Sequence, residues 1–157
     1  MNPRLYLETT IPSYLVARRS RDLRLAADQE ATQEWWEQRR HNFDLFVSDL
    51  VMREARRGDT QFAAARLEKL RGIAILSVSP AAEQLAERLL RDGIIPATAA
   101  DDATHLGFAA AHSMDFLLTW NCRHINNRAL ERRIERACLA CGLTCPVVCT
   151  PTELMEE

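Results

Sequence analysis

Short apolar runs alternate along the chain with longer stretches in which apolar residues return every third or fourth position. The runs 4–7, 43–47, 73–78, 116–119 and 146–149 read as strands, bounded by polar or turn residues. Between them, 23–40 predicts a long helix with Leu25, Ala26, Ala31, Trp35 and Trp36 on its apolar side, the tryptophans as packing residues. Further helices are predicted over 50–57, 60–71, 80–91, 101–111 and 127–141, with a short one after Pro151. In 101–111, Ala103, Leu106, Gly107, Ala110 and Ala111 form a small-residue face suited to close packing on a sheet. Gly58, Gly72 and Gly93 close helices, while Pro12 and Pro80 fall in first turns. Thr9, Thr10, Ser48 or Asp49, and Asp101 or Asp102 stand where helix caps are expected.

Five strands alternating with helices predict an α/β, three-layer sandwich with a mostly parallel five-stranded sheet, spanning 1–157 as a single domain. In such sheets ligands sit outside the carboxyl ends of the strands. That rim would carry Glu8, Asp101, Asp102 and Asn121, with Glu54 close by on the helix after the second strand. Carboxylates gathered in one place repel unless a cation neutralises them. Oxygen donors with few His or Cys partners select Mg²⁺ or Mn²⁺, the cations of phosphoryl chemistry. No glycine-rich phosphate loop is present, which disfavours a nucleotide cofactor.

Composition narrows the setting. With 157 residues, 47% hydrophobic and 27% charged, the chain is long enough for a real core and ordinary for a soluble protein. Its longest apolar runs are too short for a bilayer, and the N-terminus lacks a signal-peptide plan, so a cytoplasmic location without membrane contact is expected. The net charge of −2 does not decide for nucleic acid, but all basic residues except Lys69 are arginine, which suits phosphate contacts and equally suits a GC-rich coding bias. Arg123, His124, Arg128, Arg132, Arg133 and Arg136 are either an RNA-facing strip or a solvated helix face. The five cysteines include Cys138, Cys141, Cys145 and Cys149, whose spacing matches no standard zinc site and reads as reduced packing residues.

Four segments carry a family likeness. Tyr6-Leu7-Glu8-Thr9-Thr10, Ser48-Asp49-Leu50-Val51-Met52-Arg53-Glu54 with Gly58-Asp59, Asp101-Asp102-Ala103-Thr104-His105 and Leu118-Thr119-Trp120-Asn121 resemble, in that order, the signature segments of PIN-domain proteins. The likeness is closest to VapC-like toxins of type II toxin–antitoxin modules and runs over essentially the whole chain. It implies a Mg²⁺- or Mn²⁺-dependent ribonuclease acting on RNA phosphodiesters, with 5′-phosphate and 3′-hydroxyl products. It further implies a cognate antitoxin and a homodimer. By position, Glu8, Glu54 and Asp102 stand for the family's metal-holding acids, and Asn121 for a further acid that many members have.

Two departures qualify the likeness. Glu8 is a methylene longer than the usual Asp, which moves the metal or calls for a bridging water. Asn121 is neutral and removes a charge. A PIN-like scaffold that binds RNA or a protein partner without cutting is the alternative. A phospho-acceptor regulator is not supported, because Lys69 does not fit its downstream lysine. Around the rim, Thr9 and Thr119 either orient water or phosphate or cap backbone groups. His105, a turn along from Asp102, reads as a hydrogen-bonded packing residue rather than a general base. His41 and His112 read as surface residues, and Asp115 lies at the wrong end of its strand for the rim.

Overall fold

The computed structural model describes residues 1–156. Its elements in chain order are β1 (Arg4–Leu7), α1 (Thr10–Val16), α2 (Leu23–Gln38), β2 (Asp44–Ser48), α3 (Asp49–Ala55), α4 (Thr60–Leu70) and β3 (Ala74–Leu76). They continue with α5 (Pro80–Arg91), α6 (Ala100–Ala111), β4 (Phe116–Leu118), α7 (Glu131–Ala140), β5 (Val147–Cys149) and α8 (Pro151–Met155). The strands form one sheet in the order β3-β2-β1-β4-β5, and every neighbouring pair is parallel. Helices cover both faces, with α5, α6 and α7 packed together on one and α1, α2 and α8 on the other. The α/β sandwich expected from the alternation is therefore present, and its sheet is wholly parallel.

The central strands are apolar because they are covered twice. Leu5, Tyr6 and Leu7 of β1 and Leu117 and Leu118 of β4 are fully buried. Trp35 packs on Phe43, with ring centroids 5.8 Å apart, and Phe43 meets Phe116 edge-on. The tryptophan pair is thus a packing element. Chain order reverses between β1 and β4, which makes the carboxyl ends of those two strands the switch point of the sheet. Glu8 follows β1 there, and Thr119 follows β4.

Local chemistry shifts several boundaries from the expected ones. The third strand is shorter than 73–78, because Ser79 leaves the sheet to cap α5, accepting from the Ala82 N–H at 3.1 Å. The basic helix begins at Glu131 rather than near 127, since Asn127 closes a turn on Ala129 N–H and Arg123 C=O. Ser48 caps α3 as expected, accepting from Val51 N–H at 3.2 Å. Neither Asp101 nor Asp102 caps α6: Ala99 holds that position without a side-chain bond, and both acids lie inside the first turn, where the helix dipole favours them. Gly107 also departs from its expected place. A Cβ there would drive into the Ala82 carbonyl, so the small residue serves contact between α6 and α5 rather than contact with the sheet.

Candidate metal centre

Glu8 is only 5% exposed, at the end of β1. Its Oε1 accepts hydrogen bonds from the backbone N–H and the hydroxyl of Thr10, and from the Thr119 hydroxyl at 2.8 Å. Thr119 in turn accepts from Asn121 N–H at 2.9 Å. Glu54, from α3, uses its Oε1 to accept from the Thr9 hydroxyl at 2.6 Å and to pair with His105 Nε2 at 2.7 Å. Among the described residues, the Oε2 atoms of both glutamates accept no hydrogen bond. Thr9 and Thr10 therefore hold carboxylates rather than cap a helix. Thr119 does both, donating to Glu8 and capping the Asn121 N–H.

His105 is buried at 1% exposure and bridges two neighbours. Its Nδ1 lies 2.7 Å from the Tyr6 hydroxyl, which lies 2.8 Å from Ser48 Oγ. This chain runs from the rim down into the core and fixes the imidazole plane. Burial is the largest influence on His105 and works against its charge, but the Glu54 hydrogen bond and the charges of Glu8, Glu54 and Asp102 outweigh it and raise its pKa. Burial likewise works to raise Glu54, yet the His105 bond and charge, Thr9 and Arg57 bring its carboxyl below the ordinary value. The two form an ion pair at the wall of the site. Burial pushes the Tyr6 phenol well above its usual range, which keeps it neutral beneath them.

The ligand atoms of Glu8, Glu54 and His105 all lie within 4.8 Å of one another. The two carboxylates fit a divalent cation, while His105, with both ring nitrogens bonded to Tyr6 and Glu54, braces the site rather than offering a free lone pair. Each carboxylate is tethered through one oxygen and presents the other, as metal-binding carboxylates braced by neighbouring hydrogen bonds do. Asp102 lies outside this group of three. Its Oδ2 instead meets His124 Nδ1 at 2.9 Å, with both side chains about one-fifth exposed. Asn121 stands at the rim with its Oδ1 accepting from His124 N–H at 3.1 Å, so its side chain holds the 121–126 turn. Asp101 faces Arg57 at 3.9 Å on the surface.

Comparisons with known proteins bear on the architecture. No family model matches the chain, and no curated protein matches it. Among solved structures, it is similar to a chain in the crystal structure of VapBC2 from Rickettsia felis bound to a DNA fragment from their promoter. The TM-score is 0.57 at 15% identity, over 93% of this chain and 97% of that one. The chain has a VapC-like fold. At that identity the likeness is one of architecture.

Within this fold, the four sequence segments do converge. Glu8, Glu54, Asp102 and Asn121 all reach the carboxyl rim, but Glu8 and Glu54 meet closely while Asp102 and Asn121 are drawn to His124. Sequence reasoning placed His105 beside the site without giving it a partner. Its spacing from Asp102 was visible, whereas its bond to Glu54, 51 residues away, comes only from the fold. The basic strip is partly engaged within the protein. His124 is bound to Asp102, Arg128 to Glu131 and Glu153, and Arg133 donates to the Asp92 carbonyl, while Arg123, Arg132 and Arg136 are exposed. His112 is not a bare surface residue either, since its Nε2 lies 3.0 Å from the Ser77 carbonyl. Among the described residues no helix is long and apolar enough to cross a membrane.

Proposed function

We propose that this protein is a Mg²⁺- or Mn²⁺-dependent endoribonuclease, the toxin of a toxin–antitoxin pair, with RNA as substrate, a cognate antitoxin as inhibitor and a homodimer as its working form. The observation that carries the reading is the pair of tethered carboxylates, Glu8 and Glu54, at the switch point of a VapC-like fold. An antitoxin partner is supported by the similar Rickettsia felis structure, which is of VapBC2, a toxin–antitoxin complex.

Glu8 and Glu54 would hold the cation through their Oε2 atoms, with Asp102 contributing from the first turn of α6. When bound, a divalent cation neutralises charge on the phosphoryl oxygens and lowers the pKa of water. The chain's own groups do the rest. The three donors on Glu8 Oε1 fix that carboxylate, so little ordering is left to do when substrate arrives. His105 holds Glu54 ionised and oriented. Asp102 holds His124 by its Nδ1, which fixes the imidazole at the edge of the site.

The test is cleavage of a mixed RNA pool by purified protein in EDTA, Mg²⁺ or Mn²⁺, beside Glu8→Gln and Asp102→Asn. Metal-dependent cutting that is lost in both variants is expected. Cutting that persists in EDTA, or is undiminished in Asp102→Asn, would remove the assignment. One observation favours the scaffold reading instead: Asn121 brings no charge, and its carbonyl oxygen is already engaged in the turn. A scaffold would bind RNA or a partner in all three media and cut in none.

A further inference from the structure

A cavity of about 450 Å³ lies along the β5 edge of the sheet, outside the carboxylate site. Its floor is apolar, formed by Phe116, Ile134 and Leu154. Its rim carries Glu131, Glu135 and Glu153 against a single cation, Arg128. That guanidinium is already engaged, 3.3 Å from Glu131 and 3.1 Å from Glu153, so the rim is net acidic. An acidic rim repels a phosphate backbone and attracts Lys or Arg.

The backbone along this cavity is open. β5 ends the sheet. Val147 N–H donates to the Asp115 carbonyl at 3.0 Å, and the Cys149 carbonyl accepts from Thr119 N–H at 3.0 Å. Val147 and Cys149 therefore direct these groups to β4, and in a parallel ladder the residue between them turns both of its groups outward. That residue is Val148, which lines the cavity. Val147 beside it is 59% exposed. An edge residue whose N–H and C=O turn away from the sheet, beside an apolar floor, is a template for a further strand.

We propose that the β5 edge is a docking site for an extended basic segment of a partner polypeptide, which adds to the sheet as a strand and sets alternate Lys or Arg side chains against Glu131 and Glu135 of α7. A second copy of this chain does not suit the groove, because pairing β5 with itself would bring two acidic rims together. The proposal does not rest on the cation site.

The test uses the full chain and a fluorescent synthetic peptide of alternating valine and arginine, read by anisotropy and by hydrogen exchange at the Val148 amide. Saturable binding with slowed exchange at Val148 is expected. The double variant Glu131→Gln/Glu135→Gln, on the exposed face of α7, should weaken binding about five- to ten-fold. N-methylation of alternate peptide amides should abolish it, with charge and side chains intact. Absence of saturable binding would overturn the proposal. So would equal affinity for a peptide with glutamate in place of arginine, equal affinity in the double variant, or unchanged exchange at Val148. Protection of Val148 by self-association or by RNA, without peptide, would overturn it in favour of those occupants. RNA cleavage and metal play no part in this readout, so its failure leaves the proposed nuclease untouched.

Discussion

Glu8 and Glu54 each commit one carboxylate oxygen to the protein and keep the other for a ligand. The donors to Glu8 are two threonines from different elements, so the site's geometry depends on uncharged residues. Thr119→Val keeps the shape but removes a buried donor to Glu8 and an acceptor for Asn121 N–H. It should cost about 1–3 kcal/mol in urea denaturation and weaken Mn²⁺ binding about ten-fold or more, as loss of an outer hydrogen bond to a metal ligand does. The His105–Glu54 pair gives metal-free protein a pH signature. His105 is raised, so its contribution is whole below the ordinary imidazole value and is lost as pH rises through the folded-state value. Glu54 is lowered, so its contribution is whole above the ordinary carboxyl value and is lost as pH falls through the folded-state value. In EDTA the pair should therefore stabilise most between about pH 4.5 and 6.5. Urea midpoints for wild type and Glu54→Gln should diverge in that window and converge as pH rises well above it. Parallel curves at every pH would mean that the ion pair is not formed.

The elements themselves were largely legible in the chain, because the apolar runs of the central strands β1 and β4 are buried on both faces and Gly58, Gly72 and Gly93 each close a helix. The terminal residues of elements were less so. Ser77 and Val78 look like strand by composition, but Ser79 is needed to cap α5, and a cap takes the chain out of the sheet. The site was legible as a set of rim residues, since the connections after parallel strands fall on one edge. Its pairings were not. Asp102 meets His124 across 22 positions and Glu54 meets His105 across 51, and no periodicity reports such contacts. Small residues were also read correctly as marks of close approach, with the wrong neighbour assigned to Gly107. Gly107→Ala should cost about 1–3 kcal/mol, because its Cβ meets the Ala82 backbone rather than a side chain that can move aside. A denaturant midpoint unchanged from wild type would show that α5 and α6 separate more easily than this packing implies.

At the scale of the molecule, the sheet order brings β1 and β4 side by side and sets both ends of the chain's chemistry at one rim. The opposite sign of charge decides the rest: the carboxylates at the rim await a cation, while those along β5 await a basic partner. A cation bound only by the folded state raises its stability by about 2.7 kcal/mol at a hundred times its dissociation constant. Mn²⁺ should accordingly raise the melting temperature of wild type and leave Glu8→Gln/Glu54→Gln unmoved. Asn121→Asp, which keeps the acceptor for His124 N–H and adds a charge, should tighten Mn²⁺ binding. The most direct measurement is calorimetric titration of Mn²⁺ into metal-free wild type and the Glu8→Gln/Glu54→Gln variant. Saturable binding by wild type that disappears in the variant is the predicted result. No binding by folded wild type, or equal binding by the two proteins, would contradict a cation site built on Glu8 and Glu54.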